Sequence, residues 1–533
     1  MAGWRSWFGL PVALVVLHSV LAWVGRAPGI LTGEDDVRYL ILGRALRIGQ
    51  YRELWSPTMP PHHMYPPGYP ALLAVWSSIG GTSFSWLVVL QILLSAGTLI
   101  FTFAALRRVV PPAVAIGSLL ILSVSPPLLH AAGAVMSETP LAFCFAVAFW
   151  ASVCLERGAR QSVILVAIAV VAPMMRTIGV VLPVAVVVDW LLARRYRDAL
   201  VATTIFVATI GPLFAWTMSD PVVVTGNSYA ADLVHKAVGL PLWHTMLNRV
   251  GRNGIFYFTQ GIPVNLPVPS MRGSRIDNVL ATLVIATAFA VGLLPSFRRI
   301  RIPCLIVAAT GLLLSIWPWP VARYLAPGLP LLVPMLLLGI QYLGVRRSPR
   351  VAVISVMSVA AIIAATGATQ AFAKVAGVLP CDRSQSLPDT HCMAADKASF
   401  FNLVRYVNDS LPRDARFVAA KAAPLYYYTS RQAIPAVQLA GVDSAGFWTR
   451  LQAERASYVV LGSLHWSEWP LLAAQLERRC TDLVLLASFP PRTYLFRFDP
   501  PGAAAGSRTP AVHDERACVA VRQYQHDALL LPH

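Results

Sequence analysis

The sequence predicts a polytopic α-helical membrane protein, about eleven transmembrane helices followed by a small C-terminal α/β domain. Three observations predict it. The 533-residue chain is 56% hydrophobic and only 13% charged, with a mean hydropathy of +0.61, whereas a soluble chain carries about a quarter charged residues. Apolar runs near the ~20 residues that cross a bilayer recur through the first 377 positions. Basic residues gather in short clusters between those runs, as the positive-inside rule describes. The net charge of +18 therefore points to a membrane and not to a nucleic-acid partner.

The predicted spans are 7–25, 84–106, 114–131, 141–155, 163–175, 178–193, 200–218, 279–297, 304–318, 325–343 and 351–372. Several are short, which predicts broken or tilted helices. Arginine placement orients them. Arg5 precedes the first span, and Arg107 and Arg108, Arg157 and Arg160, Arg194, Arg195 and Arg197, Arg298, Arg299 and Arg301, and Arg346, Arg347 and Arg350 follow every second span thereafter. All these clusters share one side, predicted cytoplasmic. The N-terminus is then inside, in an inner or plasma membrane. The first outer loop (27–83), the long outer loop (219–278) and the tail (378–533) are outside. The first apolar run is long for a signal peptide and has no small-x-small cleavage site after it, so it reads as a retained anchor.

The tail differs in texture. "ARFVAA", "YVVLG", "DLVLLAS" and "RTYLFRF" read as short strands. "KASFFNLVRYVNDSLP" and "SEWPLLAAQLERRC" read as helices between them, which together make an α/β domain with an irregular end from Pro500. Of seven cysteines, Cys144, Cys154 and Cys304 lie in apolar spans, as packing residues. Cys381, Cys392, Cys480 and Cys518 lie in the tail. Four cysteines in an oxidising compartment allow three pairings, and proximity favours Cys381–Cys392 and Cys480–Cys518. Their spacing fits no zinc pattern.

Carboxylates beside a span need a reason. Glu34, Asp35 and Asp36 follow the first span. As a purely structural feature, Thr32 caps a helix whose first turn is acidic, and that helix, with Val37, Leu40, Ile41 and Leu46 among Arg38, Arg44 and Arg47, lies in the membrane interface. Glu138 reads as a first-turn acid after Ser137, and Arg176 as the partner of a carboxylate holding two half-spans together. Arg323 reads as a snorkelling cation, and Arg249 and Arg252 as a solvated face. His62 and His63 read as polar surface, or as ligands of a metal or acceptor; Tyr39, Tyr65 and Tyr69 read as an interfacial aromatic belt.

The order of these residues resembles the C-type glycosyltransferase superfamily, polytopic enzymes that take a sugar from a polyprenyl-phosphate carrier. "DDVRYLILGRALRIGQY" matches the family's first outer loop, with Asp35-Asp36 as its acidic pair, Tyr39 as the tyrosine three residues on, and Pro66-Pro67 of "YPPGYPALLAV" as its turn. "MSETPLAF" with Glu138, "RTIG" with Arg176, and "WPVARYLAPGLPLL" with Arg323 and Tyr324 continue the likeness. The pattern is most similar to the branch of protein O-mannosyltransferases and lipid A aminoarabinose transferases (family 39-like). It departs in having Asp-Asp where Asp-Glu is frequent. The resemblance implies catalytic carboxylates at Asp35, Asp36 and Glu138, and carrier-phosphate or substrate contacts at Tyr39, Tyr65, Arg176, Arg249, Arg252, Arg323 and Tyr324. It implies a polyprenyl-phosphate sugar donor and an extracytoplasmic acceptor in a setting of membrane lipids, and it leaves a divalent metal open. A flippase of lipid-linked glycans and a non-catalytic subunit are the competing expectations. The absence of a Walker loop, a Rossmann fingerprint and an internal repeat favours the transferase over the transporter.

Overall fold

The computed structural model describes residues 9–30, 35–219, 242–267, 275–382, 387–439, 444–462, 464, 469–498 and 515–529. Thr32, Glu34, Arg5, much of the long outer loop and the 500–514 stretch lie outside them. The chain divides into two compact units, one holding Met1–Ala27, His63–Val223 and Asn227–Leu379, the other Pro28–His62, Val224–Gly226 and Pro380–His533.

The first unit is helical. Among the described residues the predicted spans fall on helical segments, 114–131 on two of them, Pro112–Ser123 and Pro126–Ala132. Five helices among the described residues are long and apolar enough to cross a membrane: Phe84–Val109, Tyr196–Thr217, Thr282–Arg299, Ala322–Val345 and Pro349–Val378. A sixth is added if Pro112–Ser123 and Pro126–Ala132, bent by 55°, form one span. The shorter apolar helices are Gly9–Val24, Glu138–Cys154, Ala159–Met175, Thr177–Leu192 and Arg301–Ile316. Their brevity has local causes. Ser125 precedes two prolines that restart a helix in a new direction, and Arg176 adopts an extended conformation that ends Ala159–Met175. Leu106, Leu119, Phe145, Phe149, Leu182, Trp190, Leu331 and Leu337 belong to one continuous apolar core.

Small residues set the closest crossing. A Cβ on Gly339 would collide with the Ala288 carbonyl, and one on Gly292 with the Met335 carbonyl. Helices Arg275–Arg299 and Leu329–Val345 thus touch backbone to backbone, as small-residue interfaces in membranes allow.

The second unit is built on a five-stranded sheet of β1 (Phe417–Ala419), β2 (Ala433–Pro435), β3 (Tyr458–Leu461), β4 (Leu483–Phe489) and β5 (Thr493–Phe498), in the order β2-β1-β3-β5-β4. β1 pairs in parallel with β2 and β3, and β5 runs antiparallel to β3 and β4. Phe447, Trp448, Leu476, Phe496 and Tyr524 fill its core.

Three sequence expectations are revised here. Residues Pro28–His62 of the first outer loop fold with the tail: Ala433 N–H donates to the Trp55 carbonyl at 2.8 Å and the Tyr428 hydroxyl to the Ile30 carbonyl at 2.9 Å. Helix Asp35–Arg47 is therefore no interfacial helix; Val37, Leu40, Ile41, Leu42 and Ala45 are buried within this unit. The C-terminal end is not irregular throughout, because Glu515–Leu529 is a helix whose Ala517, Ala520, Val521 and Tyr524 are buried.

Both tail disulfides take the expected pairing, Cys381–Cys392 and Cys480–Cys518, with Cα–Cα separations of 5.7 and 5.0 Å. The second ties the C-terminal helix to the residues leading into β4. Thiol titration of the denatured, unreduced protein should find three free thiols per chain, from Cys144, Cys154 and Cys304; seven would contradict the bridges. Cys480→Ser should lower the stability of this unit by about 2–4 kcal/mol in chemical denaturation.

Candidate active site

The predicted residues fall into two clusters, one in each unit. In the helical unit, Glu138 opens helix Glu138–Cys154 and is 3% exposed. A carboxylate this deeply buried requires compensation. Arg176 Nη1 lies 2.9 Å from Glu138 Oε1, and Arg323 Nε lies 3.6 Å from the same oxygen. Neither carboxylate oxygen of Glu138 accepts a well-directed hydrogen bond among the described residues, and Arg176 Nη1 donates to Ser137 Oγ at 2.7 Å. Ser137, at the N-cap position, makes no capping bond of its own. Ser137 thus orients an arginine and does not cap the helix.

The two arginines are placed by breaks in helices. Arg176 stands between Ala159–Met175 and the 3₁₀ turn Thr177–Val180. Gly179 N–H bonds the Arg176 carbonyl at 2.7 Å, and a Cβ at Gly179 would strike the Ala172 carbonyl. The glycine of "RTIG" is what lets the turn close. Arg323 and Tyr324 lie in the 3₁₀ segment Ala322–Gly328. The Tyr324 ring lies 5.0 Å from the Arg176 guanidinium carbon and 6.0 Å from that of Arg323, within cation–π range. A narrow cavity beside Glu138 is lined also by Ser95, Thr98, Thr139 and Ala326.

In the other unit, Asp35 and Asp36 open helix Asp35–Arg47. Asp36 is fully buried and Asp35 half-buried, the divergence expected of adjacent helical positions. The charge of Asp36 bears on Lys397, Tyr427 and Tyr428 from the tail. Burial pushes the Lys397 ammonium below the usual lysine range and Asp36 pulls it partly back. Burial likewise pushes the Tyr427 and Tyr428 phenols up, opposed by Arg44 and aided by Asp36 at Tyr427, and aided by Tyr427 and Asp36 at Tyr428. Arg44 stacks over the Tyr427 ring at 4.6 Å. Tyr39 is buried in the same unit.

The other candidates have structural occupations. Arg252 Nη2 donates to the Pro318 carbonyl at 2.7 Å, Arg249 Nη1 reaches the Ile316 carbonyl at 3.5 Å, and Asn253 Nδ2 bonds the Leu314, Ser315 and Trp317 carbonyls. All three cover the C-terminal end of helix Arg301–Ile316, where cations and amide donors are favoured. The solvated face expected of the arginines is thus incorrect for Arg249, which is buried. Tyr65 is buried in the helical unit. His62 and His63 are buried and are not polar surface: His62 Nδ1 lies 3.0 Å from Glu53 Oε1, and His63 Nδ1 donates to the Trp216 carbonyl at 2.7 Å. Among the described residues no group of three or more His, Cys, Asp or Glu is placed to hold a metal ion.

Sequence reasoning missed Lys397 and Asn253. Neither stands in an apolar span, and nothing local marks a lysine or asparagine whose partners lie far along the chain. Nor does "LYYYTSR" carry any local mark of the aspartate whose charge bears on Tyr427 and Tyr428.

The fold is similar to those of solved ArnT and oligosaccharyltransferase structures. Among solved structures, the chain superposes on ArnT from Cupriavidus metallidurans bound to undecaprenyl phosphate with a TM-score of 0.57 at 14% identity, covering 95% of this chain and 100% of that one. It superposes on the apo state of the same protein with a TM-score of 0.55 at 14% identity, over 92% and 98% of the two chains. The Archaeoglobus fulgidus oligosaccharyltransferase tethered to an acceptor peptide gives 0.53 at 11% identity, over 86% and 70%. No family model and no curated protein matches the sequence.

Arg176→Met should destabilise the helical unit by about 3–5 kcal/mol, since it leaves a buried carboxylate short of its nearest partner. The Glu138→Gln/Arg176→Met double variant should lose less than the sum of the single losses in thermal or denaturant melts. Strict additivity would contradict the pairing.

Proposed function

We propose that the protein is an inverting membrane glycosyltransferase that moves a sugar from a polyprenyl-phosphate carrier to an extracytoplasmic acceptor. The observation that carries the reading is end-to-end likeness to a protein bound to undecaprenyl phosphate, joined to two arginines gathered on one buried glutamate. The acceptor hydroxyl attacks the anomeric carbon as the bond from that carbon to the carrier phosphate breaks. The phosphate leaves with the bridging oxygen, and the hydroxyl proton passes to a carboxylate.

Asp35 is assigned that proton, because it is the less buried member of the acidic pair. Asp36, turned toward Lys397 and the tyrosines, is a positioning residue. Arg323, the more exposed of the two arginines at 35% against 11% for Arg176, takes the phosphate, for which its planar fork is suited. Glu138 orients both. Arg249, Arg252, Tyr39, Tyr65 and Tyr324 support these groups. The orientation read from the arginines places the N-terminus in the cytoplasm, with eleven spans and an outside tail.

Asp35→Asn preserves shape but removes basicity, and should cut transfer from a polyprenyl-phosphate sugar by at least about 100-fold with carrier binding little changed. Arg323→Ala should instead weaken carrier binding. Near-normal transfer by both Asp35→Asn and Asp36→Asn would make the pair a helix-start device and overturn the assignment.

Topology is checked separately. Reporter fusions at Arg347 and Pro412 should report opposite sides of the membrane, and a cytoplasmic signal at Pro412 would refute the orientation.

A further inference from the structure

A second polar cavity lies in the helical unit, well away from Glu138. It encloses about 360 Å³, within the range of small-ligand sites. Arg157, Arg195, Arg298, Arg299 and Arg301 line it, and Asp189 is the one carboxylate among its lining residues. Ser152, on its wall, stands fourteen residues after Glu138 on the same helix, about 21 Å along the axis at the usual helical rise. The cavity is therefore at the far end of that helix from the candidate active site.

Its charge is unbalanced. Asp189 Oδ1 is already bonded by Arg301 Nε at 2.6 Å. Arg195 is held by Asp198 and by Ser162 Oγ, each at 2.7 Å, and stacks on Trp190 at 5.0 Å. Among the described residues Arg157, Arg298 and Arg299 pair with no carboxylate. All three are exposed, so water screens their mutual repulsion, and the net positive charge they leave around one concavity favours an anion there. The wall also carries Leu165, Phe297 and Ile302, so a guest with an apolar portion fits better than a free ion. Each of the arginine segments belongs to the clusters that mark a single membrane face, where anionic headgroups lie.

We infer that this cavity, walled by Arg157, Arg298 and Arg299 over the Arg301–Asp189 pair, binds the phosphate headgroup of an anionic phospholipid. Arg298 and Arg299 both line the cavity and each can offer a guanidinium fork to the phosphodiester, and Arg157 lines it from the loop after helix Glu138–Cys154. Arg346 and Arg347, which end another helix, do not line the cavity and serve as the control for general surface charge.

The full-length protein in a non-ionic detergent, titrated with phosphatidylglycerol or phosphatidylcholine and read by native mass spectrometry, tests the inference. Wild type should retain phosphatidylglycerol in preference to phosphatidylcholine. R298Q/R299Q should weaken that retention by about 10- to 30-fold, from about 1 kcal/mol per surface arginine. R298K/R299K, keeping charge without the fork, should fall between the two. R346Q/R347Q should match wild type, and melting temperatures should be unchanged throughout. Equal weakening by both glutamine pairs would reduce the effect to surface charge and overturn the site. Binding of inorganic phosphate without preference for the anionic lipid would overturn the headgroup assignment. None of these readouts depends on sugar transfer.

Discussion

A buried carboxylate must be balanced, and in the helical unit that constraint shapes the chain around Glu138. The glutamate opens a helix packed deep in an apolar core, where an unpaired charge is costly. Balancing it brings two distant arginines to one oxygen. Neither could arrive from an unbroken helix. Arg176 comes from an extended residue between two helices, closed behind it by Gly179 against Ala172, and Arg323 from a 3₁₀ segment before a long span. The helix interruptions are therefore what a charged cluster demands of a membrane fold, and two cations on one anion leave a net positive charge there.

The carboxylates after the first span meet the same constraint differently. Helix Asp35–Arg47 is enclosed by residues of the tail, through Tyr428, Gln432 and Ala433. Asp36 has Lys397 to offset it, and burial pushes the phenols of Tyr427 and Tyr428 up, with the aspartate adding to it and Arg44 opposing it at Tyr427. Fixing the first residues of a helix in this way also fixes where Asp35 points.

What the sequence made legible was mostly periodic or covalent. Among the described residues the apolar runs became helical segments, and four of the five strands were visible as β-branched and aromatic runs. The paired cysteines were close enough in sequence for proximity to choose among pairings. β2 escaped because Ala433–Pro435 is three residues long and ends in proline. The helix Ala422–Thr429 begins with "AAP" and runs into tyrosines, so its period is too short to read. The affiliation of residues 28–62 with the tail escaped because it depends on hydrogen bonds spanning hundreds of positions. Among the candidate residues, the Glu138–Arg176 pairing matches the expectation that Arg176 holds a carboxylate. Arg249 and the two histidines were misread because a polar residue in a loop carries no mark of burial, whereas Arg252 is exposed as expected.

The central claim is that a carrier-phosphate bond is broken, and not merely that a lipid-linked glycan is moved. It is tested most directly by giving the purified protein in liposomes a polyprenyl-phosphate sugar labelled in both sugar and phosphate. The account predicts equal molar release of unglycosylated polyprenyl phosphate and labelled acceptor product, with the anomeric configuration inverted. Relocation of the doubly labelled lipid across the bilayer, with its sugar–phosphate bond intact, would contradict it.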